Sequence, residues 1–247
     1  MKVSFKTDQG RRRDHNEDNG AVFVKGDVVL AIVADGMGGH LAGEQASALA
    51  LQTIEHAWTQ FDPEEAEQDA AWLEATIKLA NKTIYEYGGT HEECKGMGTT
   101  LVSALCRNDF FTIAHVGDSR GYLFKEGSDI VQVTEDHSLV YELVKAGQLS
   151  SEDARYHPRK NVVTRALGTD LSTQVDIRKV PWGSSQILLL CSDGLSDLVD
   201  DSTFTQILSL DDTLDNKAET LINRANEEGG VDNISVTLVL HDGGEQK

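Results

Sequence analysis

The sequence predicts an α+β fold: two mostly antiparallel β-sheets pack face to face and helices cover both outer faces, in a four-layer α-β-β-α sandwich. Three observations predict this fold. About nine short segments have strand composition, most follow one another without the crossover helices that parallel strands need, and long amphipathic segments occur in two groups. The chain has 247 residues, enough for one hydrophobic core.

The strand candidates are of two kinds. The continuous apolar runs, typical of strands buried on both faces, span residues 28–34, 99–106, 110–116, 186–191 and 234–240. The shorter candidates span residues 3–6, 21–24, 121–124 and 130–133.

Helices are predicted where apolar residues recur at three- and four-residue spacing. These segments are residues 42–59, 64–87 and 217–227, with a shorter helix after Asp201 or Ser202. Asp62-Pro63 predicts the start of the second helix, and Gly88-Gly89 predicts its end.

A change of pattern marks residues 138–168, where a short amphipathic helix leads into a polar segment. This segment is basic within an acidic chain, with Arg155, His157, Arg159, Lys160 and Arg165. It fits either a solvated loop or a flap beside a site that receives an anionic substrate. We predict one domain over residues 1–242 that includes this flap, followed by a polar tail at 243–247.

The net charge of -19 argues against nucleic acid and anionic membranes as partners. The first ten residues lack the apolar core of a signal peptide, and no run reaches the ~20 apolar residues that span a bilayer. The three cysteines show no zinc or disulfide spacing. We therefore expect a cytoplasmic protein without membrane insertion, and a monomer.

Short acidic motifs recur next to the predicted strands. Asp35 and Asp193 directly follow apolar runs, Asp118 follows one after Gly117, and Asp232 precedes one. Stiff strand ends can direct such carboxylates to one point. The motifs are Arg13-Asp14-His15-Asn16-Glu17-Asp18, Asp35-Gly36-Met37-Gly38-Gly39-His40, Gly117-Asp118-Ser119-Arg120, Ser192-Asp193-Gly194-Leu195-Ser196-Asp197 and Asp232-Asn233-Ile234-Ser235.

Converging carboxylates raise one another's pKa unless a cation lies between them. The available ligands are all oxygens, which favours Mg²⁺ or Mn²⁺ over zinc or copper. Calcium is the rival ion, although the regular calcium loop with its closing glutamate is not present at residues 193–197. Each motif taken alone also fits an ordinary turn.

Taken together and in this order, the motifs closely resemble the metal-dependent protein phosphatase family, type 2C, in its compact bacterial form. The resemblance covers residues 3–241 and is strongest to the stand-alone phosphatases of Gram-positive bacteria that oppose membrane serine/threonine kinases. Further matching motifs are Gly98-Thr99-Thr100, Asp136-His137-Ser138 and Arg165-Ala166-Leu167-Gly168. The family fold is the α-β-β-α sandwich predicted above.

The resemblance implies a role for each acidic position. Asp35 would bridge two metals, with the carbonyl of Gly36 on the second, while Asp193 and Asp232 complete the first. Glu17 and Asp18 would act through bound waters or as ligands at the rim, and Asp118 with Asp193 would hold a third ion. Arg13 would bind the substrate phosphate. Two or three Mn²⁺ or Mg²⁺ ions would ready a water for direct attack on phosphoserine or phosphothreonine.

The general acid is where the sequence departs from the family. Many eukaryotic members carry a histidine directly after the metal-binding Asp-Gly, and this chain has Met37 there. His40 is one candidate proton donor, and a metal-bound water is the other. As a lone histidine, His40 also fits a structural role.

The implied partners are phosphorylated proteins, including a serine/threonine kinase and its substrates. The alternatives are a two-metal hydrolase of another phosphate ester and a non-catalytic phosphoprotein-binding module. A phosphatase restricted to one regulatory partner would use the same chemistry.

Overall fold

The structure is a computed structural model that describes residues 1–39, 42–150, 153–154 and 156–243. Eleven strands lie in these ranges. They are β1 (Lys2–Asp8), β2 (Asp18–Lys25), β3 (Val28–Met37), β4 (Gly98–Thr99), β5 (Leu101–Cys106), β6 (Phe110–Val116), β7 (Arg120–Lys125), β8 (Val131–Gln132), β9 (Asp176–Pro181), β10 (Gln186–Cys191) and β11 (Ile234–Leu240).

The strands form two antiparallel sheets, as the sequence predicted. The first sheet has the order β1-β11-β10-β7-β8, and the second has the order β2-β3-β5-β6-β9, with β4 paired to β3. The α-helices of the described residues are α1 (Ala42–Thr59), α2 (Asp69–Thr90), α3 (Leu139–Lys145), α4 (Asp193–Ser196), α5 (Asp201–Leu208) and α6 (Leu214–Glu227).

Strand β3 shows why the layers form. Its residues are apolar on both faces, and side chains alternate between the faces of a strand. Leu30 and Ile32 pack in a core with α1 and α2, while Val29 and Val33 pack against the other sheet. Helices α5 and α6 cover the outer face of that other sheet, in a third core with β7, β10 and β11. The four-layer prediction is therefore confirmed.

The start of α2 differs from the prediction, because the helix begins at Asp69 and not near residue 64. The carbonyl of Pro63 accepts a hydrogen bond from Arg107 Nη1 at 2.6 Å, and the same guanidinium forks onto the Asp69 carboxylate at 2.6 and 2.7 Å. Arg107 therefore binds both ends of the segment from Pro63 to Asp69 and fixes where the helix starts. Gly88 and Gly89 also lie inside the helix, which ends at Thr90.

The predicted flap leaves and re-enters the fold at one point. Ser138 and Val163 form an antiparallel bridge, and the Leu139 N–H donates to the Val162 carbonyl at 2.9 Å. Ser138 also caps α3, because its side chain accepts a hydrogen bond from the Tyr141 N–H. Residues 151–152 and 155 lie outside the described residues.

The strand register brings the motif-bearing ends of both sheets to one end of the molecule. In the first sheet Cys191 pairs with Arg120 and Asp8 pairs with Ile234. In the second sheet Asp18 pairs with Asp35. None of the helices in the described ranges has the length and apolar character needed to cross a membrane.

Candidate metal centre

Two carboxylates face each other at the end of the second sheet. Asp18 begins β2 and lies directly opposite Asp35 near the end of β3. Like charges at opposed positions on neighbouring strands destabilise a sheet. Asp18 is buried. Two opposed carboxylates, of which Asp18 is buried, therefore call for a compensating positive charge.

The first sheet supplies two more carboxylates. Asp193 begins α4 just after β10, and Asp232 lies two residues before β11. Gly194 lets these segments touch, since a Cβ there would lie 2.0 Å from the Asn233 carbonyl oxygen and 3.2 Å from the Asp232 Cβ. Ser192 joins the two sheets by donating its hydroxyl to Asp18 Oδ2 at 2.6 Å.

The loop carrying Asp118 is attached to the strand that carries Asp35. Thr100 Oγ1 lies 2.7 Å from Ser119 Oγ and accepts a hydrogen bond from the Asp35 N–H at 3.1 Å. The predicted residue Asp118 is itself buried. The third candidate ion position therefore lies on the same framework as the first two.

Glu17 and Gly36 meet beside α1. The Gly36 N–H donates to the Glu17 carbonyl at 3.2 Å, and a Cβ on Gly36 would lie 2.2 Å from the Gly43 carbonyl oxygen. Only glycine fits such a close backbone approach. Asn233 Oδ1 accepts a hydrogen bond from the Glu17 N–H at 2.9 Å, which ties this segment to the start of β11.

The carboxylates raise one another's pKa. Burial and the charges of Asp18, Asp193, Asp118 and Asp232 raise the pKa of Asp35 well above its usual range. Burial is the first cause of a pKa of about 7 for Asp18 and about 6 for Asp193. The pKa of Asp118 is also raised well above its usual range, by burial and then by Asp193 and Asp136. The predicted residues therefore form one electrostatic cluster.

The cluster fits divalent cations. Glu17 Oε1, Asp18 Oδ1 and Asp193 Oδ1 are buried without a hydrogen-bond partner, and buried carboxylate oxygens without partners are costly. The donor atoms are oxygens, the ligand type that Mg²⁺ and Mn²⁺ prefer. These three residues, whose proximity is unfavourable without a cation, are among the predicted metal ligands.

Arg13 places a positive charge at this cluster. Its Nη2 donates to Asp232 Oδ2 at 2.6 Å, and 46% of the side chain is exposed. The exposed part of a guanidinium can bind phosphoryl oxygens through its remaining N–H groups. Arg13 thus lies between the acidic cluster and solvent.

A cavity of about 820 Å³ lies between the cluster and the predicted flap. Its walls include Asp118, Asp193 and Lys160, together with apolar flap residues such as Val140 and Val144. Lys160 Nζ bonds Asp197 Oδ2 at 2.6 Å, whereas Arg159 is exposed. Of the basic flap residues Arg159 and Lys160, Lys160 lines the cavity.

Three further positions concern the predicted site. His40, the candidate proton donor, lies outside the described residues. Ser192 and Asn233 lie within the predicted motifs, but the sequence predicted no role for them. Ser192 connects the two sheets through Asp18, and Asn233 holds the segment that carries Glu17. Their signal was a short hydrogen-bonding side chain directly beside a strand-end aspartate.

We expect the protein stripped of divalent ions to lose stability as the pH rises from about 4 to about 7. A carboxyl whose pKa is raised on folding binds its proton more tightly when folded, and this stability is lost as the pH passes the raised values, about 6 for Asp193 and about 7 for Asp18. Thermal unfolding at about pH 5 and pH 7.5 measures the loss. Added Mn²⁺ should restore the melting temperature at the higher pH. Asp14→Asn, at an exposed acid, should keep the same pH slope; a metal-free protein whose stability rises over this range would contradict the prediction.

Comparison with known proteins gives a family and close relatives. The family described as Protein phosphatase 2C matches residues 8–234. The chain is 48% identical over 244 residues to the serine/threonine phosphatase stp of Listeria monocytogenes, which covers 98% of this chain and 96% of that protein.

Solved structures show the same fold. The S. agalactiae serine/threonine phosphatase is 39% identical with a TM-score of 0.91, covering 97% of this chain and 98% of that one. The catalytic domain of the serine threonine protein phosphatase PstP, in complex with two manganese ions, is 33% identical with a TM-score of 0.81, covering 96% of each chain.

Proposed function

Since this chain belongs to the protein phosphatase 2C family and is a serine/threonine phosphatase, we propose that its acidic cluster binds two or three Mn²⁺ or Mg²⁺ ions and hydrolyses phosphoserine and phosphothreonine in proteins. The observation that carries the proposal is the convergence of carboxylates from both sheets with buried oxygens that lack partners. Metal dependence is a property of the family, and the related PstP domain was crystallised with manganese.

Each residue has a proposed part in holding the ions. Asp35, at the junction of the cluster, and the carbonyl of Gly36 would help to hold the first two of them. Asp193 and Asp232 would complete the first ion, and Asp118 with Asp193 would hold a third. Glu17 and Asp18 would act at the edge of the set or through waters. When bound, the ions supply positive charge to the phosphoryl group and activate water.

The protein's own residues supply substrate orientation. Arg13 would bind the phosphoryl oxygens with its exposed N–H groups while Asp232 fixes its side chain. Because the carboxylates lie at strand ends, they would be held in place before substrate arrives and would need little reorganisation during the reaction. His40 remains the proposed proton donor to the leaving serine or threonine oxygen.

The substrates are proposed to be phosphorylated proteins, including a serine/threonine kinase and its targets. Asp35, Asp193 and Asp232 are all present, and the relatives reported above are named phosphatases. These facts do not favour either a non-catalytic binding module or a hydrolase of another phosphate ester.

A metal-titrated phosphatase assay tests the proposal. We expect Mn²⁺-dependent release of phosphate from phosphothreonine peptides, and little from nucleotides under the same conditions. EDTA should abolish the activity, and added Mn²⁺ should restore it. Activity that persists in EDTA, or a preference for nucleotides, would exclude this function.

The flap gives a separate prediction about substrate binding. Lys160→Ala and Arg159→Ala should each raise the KM for a phosphoprotein about two- to fivefold, the size expected for an exposed charge contact, with little change for a small aryl phosphate. Lys145→Ala, which removes an exposed lysine of α3 paired with Glu135, is the matched control and should leave both KM values unchanged. An equal rise with both substrates would remove the flap from phosphoprotein recognition.

A further inference from the structure

His137 forms two hydrogen bonds with Gly117, the residue that precedes Asp118. The His137 N–H donates to the Gly117 carbonyl at 3.0 Å, and the Gly117 N–H donates to the His137 ring Nδ1 at 3.1 Å. His137 is buried. Gly117 is therefore held at both its N–H and its carbonyl by one residue.

The opposite side of Gly117 is also closed. Its φ is +111°, and an added Cβ would lie 2.6 Å from the Thr100 Cβ. Thr100 in turn contacts Ser119, the residue after Asp118, through their hydroxyls at 2.7 Å. The loop that carries Asp118 is thus held between His137 on one side and Thr100 on the other.

The bond from the Gly117 N–H requires one tautomer of His137. A backbone N–H can only donate, so Nδ1 must offer its lone pair to Gly117 and the ring proton lies on Nε2. Nε2 lies 3.4 Å from Asp176 Oδ2, which can accept its proton, and 3.2 Å from Arg165 Nη1, which then donates to Asp176 instead of to the ring. Burial, His115 and Arg165 lower the pKa of His137 to about 4, so the ring is neutral near pH 7 and Nδ1 can accept.

The same tautomer argues against a separate metal ion at this position. Donor atoms of His115, His137 and Asp176 lie within 4.8 Å of one another. A metal on Nε2 of His137 would move the ring proton to Nδ1, against the Gly117 N–H. Arg165 Nη1 already bonds Asp176 Oδ1 at 2.8 Å. The guanidinium of Arg165 therefore already supplies a positive charge to the group formed by His115, His137 and Asp176.

We propose that His137 is a positioning residue for Asp118, and that its Nδ1 bond to Gly117 sets the affinity for the divalent ion that Asp118 binds. Its position also connects this loop to the flap. The His137 carbonyl accepts the Thr164 N–H at 2.7 Å, and Ser138, the next residue, begins the flap. This inference rests on the proposed metal role of Asp118.

Two substitutions separate the two ends of the imidazole. In His137→Asn the amide oxygen can take the place of Nδ1 and accept from Gly117. In His137→Gln the amide reaches the place of Nε2 and leaves the Gly117 N–H without its acceptor. Titration calorimetry with Mn²⁺ on the full chain, with Asp118→Asn as the reference for a lost ion, measures the effect.

We expect His137→Gln to weaken the most weakly bound Mn²⁺ about tenfold or more, the usual effect of removing a residue that orients a ligand. His137→Asn and the control Asp176→Asn should stay within about threefold of the wild type. Melting temperatures in EDTA verify that the variants are folded. Wild-type affinity in His137→Gln, or loss of the ion in His137→Asn, would overturn the proposal.

A measurement on the unmodified protein covers the case of a variant that does not fold. Nitrogen NMR of the imidazole should show the proton of His137 on Nε2 and a lone pair on Nδ1, and a proton on Nδ1 would overturn the inference. Failure of this inference can be distinguished from failure of the proposed function. If the wild type shows no EDTA-sensitive phosphatase activity, the proposed function fails, whereas an active enzyme with unaffected His137→Gln affects only the role of His137.

Discussion

Asp35→Asn should lower kcat/KM for a phosphothreonine peptide by about a thousandfold or more. The substitution removes the carboxylate whose pKa is raised by burial and by four other aspartates. Asp35 is therefore the residue that interacts with all the other aspartates of the cluster. Loss of about 4 kcal/mol of the charge stabilisation that divalent ions give a transition state corresponds to that factor. Steady-state kinetics in saturating Mn²⁺ measure it.

The same variant should be more stable than the wild type when divalent ions are removed. Asparagine has nearly the shape of aspartate but does not repel the carboxylates around it, so the melting temperature in EDTA should rise. Asp27→Asn is the matched control, because Asp27 is an exposed acid just before the other end of β3. It should keep full activity. Asp35→Asn enzyme with near wild-type activity would contradict the assignment of Asp35.

Arg107→Met should destabilise the fold by about 3–5 kcal/mol, the usual effect of removing one partner of a buried ion pair. Asp69 is 1% exposed, and the Arg107 guanidinium is its forked partner at 2.6 and 2.7 Å. The substitution leaves a buried carboxylate without a cation and frees the Pro63 carbonyl. Urea unfolding of the metal-free protein measures the change.

A double substitution provides the control. Arg107→Met combined with Asp69→Asn should recover part of the lost stability, since no charge is then left buried. Arg178→Met, at an exposed position of β9, should change stability little. Activity per folded molecule should be unaffected, because Arg107 follows β5 at its end away from the acidic cluster. A stability change below about 1 kcal/mol would show that the pair contributes little.

The sequence predicted most of the fold because burial on two faces leaves a clear pattern. Strands β10 and β11 and helix α1 have the predicted bounds, since each is a long apolar or amphipathic run. Strand β9 was missed because it lies at a sheet edge, mixes charged with apolar residues and ends at Pro181. The start of α2 depends on Arg107, which is distant in sequence, and local signals at Asp62-Pro63 could not contain that contact.

The candidate site was predictable where its chemistry shows in local sequence. Aspartates beside glycine at strand ends indicated Asp35, Asp118, Asp193 and Asp232, and their assignment as metal ligands stays a prediction. The contacts of Asn233 and the pairing of Lys160 with Asp197 depend on tertiary structure. No sequence spacing encodes them, because their partners lie 216 and 37 residues away.

The pairing of the first strand with the last has a consequence for synthesis on the ribosome. Lys2 lies opposite Leu240, and Asp8 lies opposite Ile234, so β1 has no neighbour in its sheet until residues 234–240 have been translated. Such distant pairings slow folding. Arg13 and Asp232 likewise meet only then. We therefore expect a nascent chain to lack phosphatase activity until β11 has emerged from the exit tunnel.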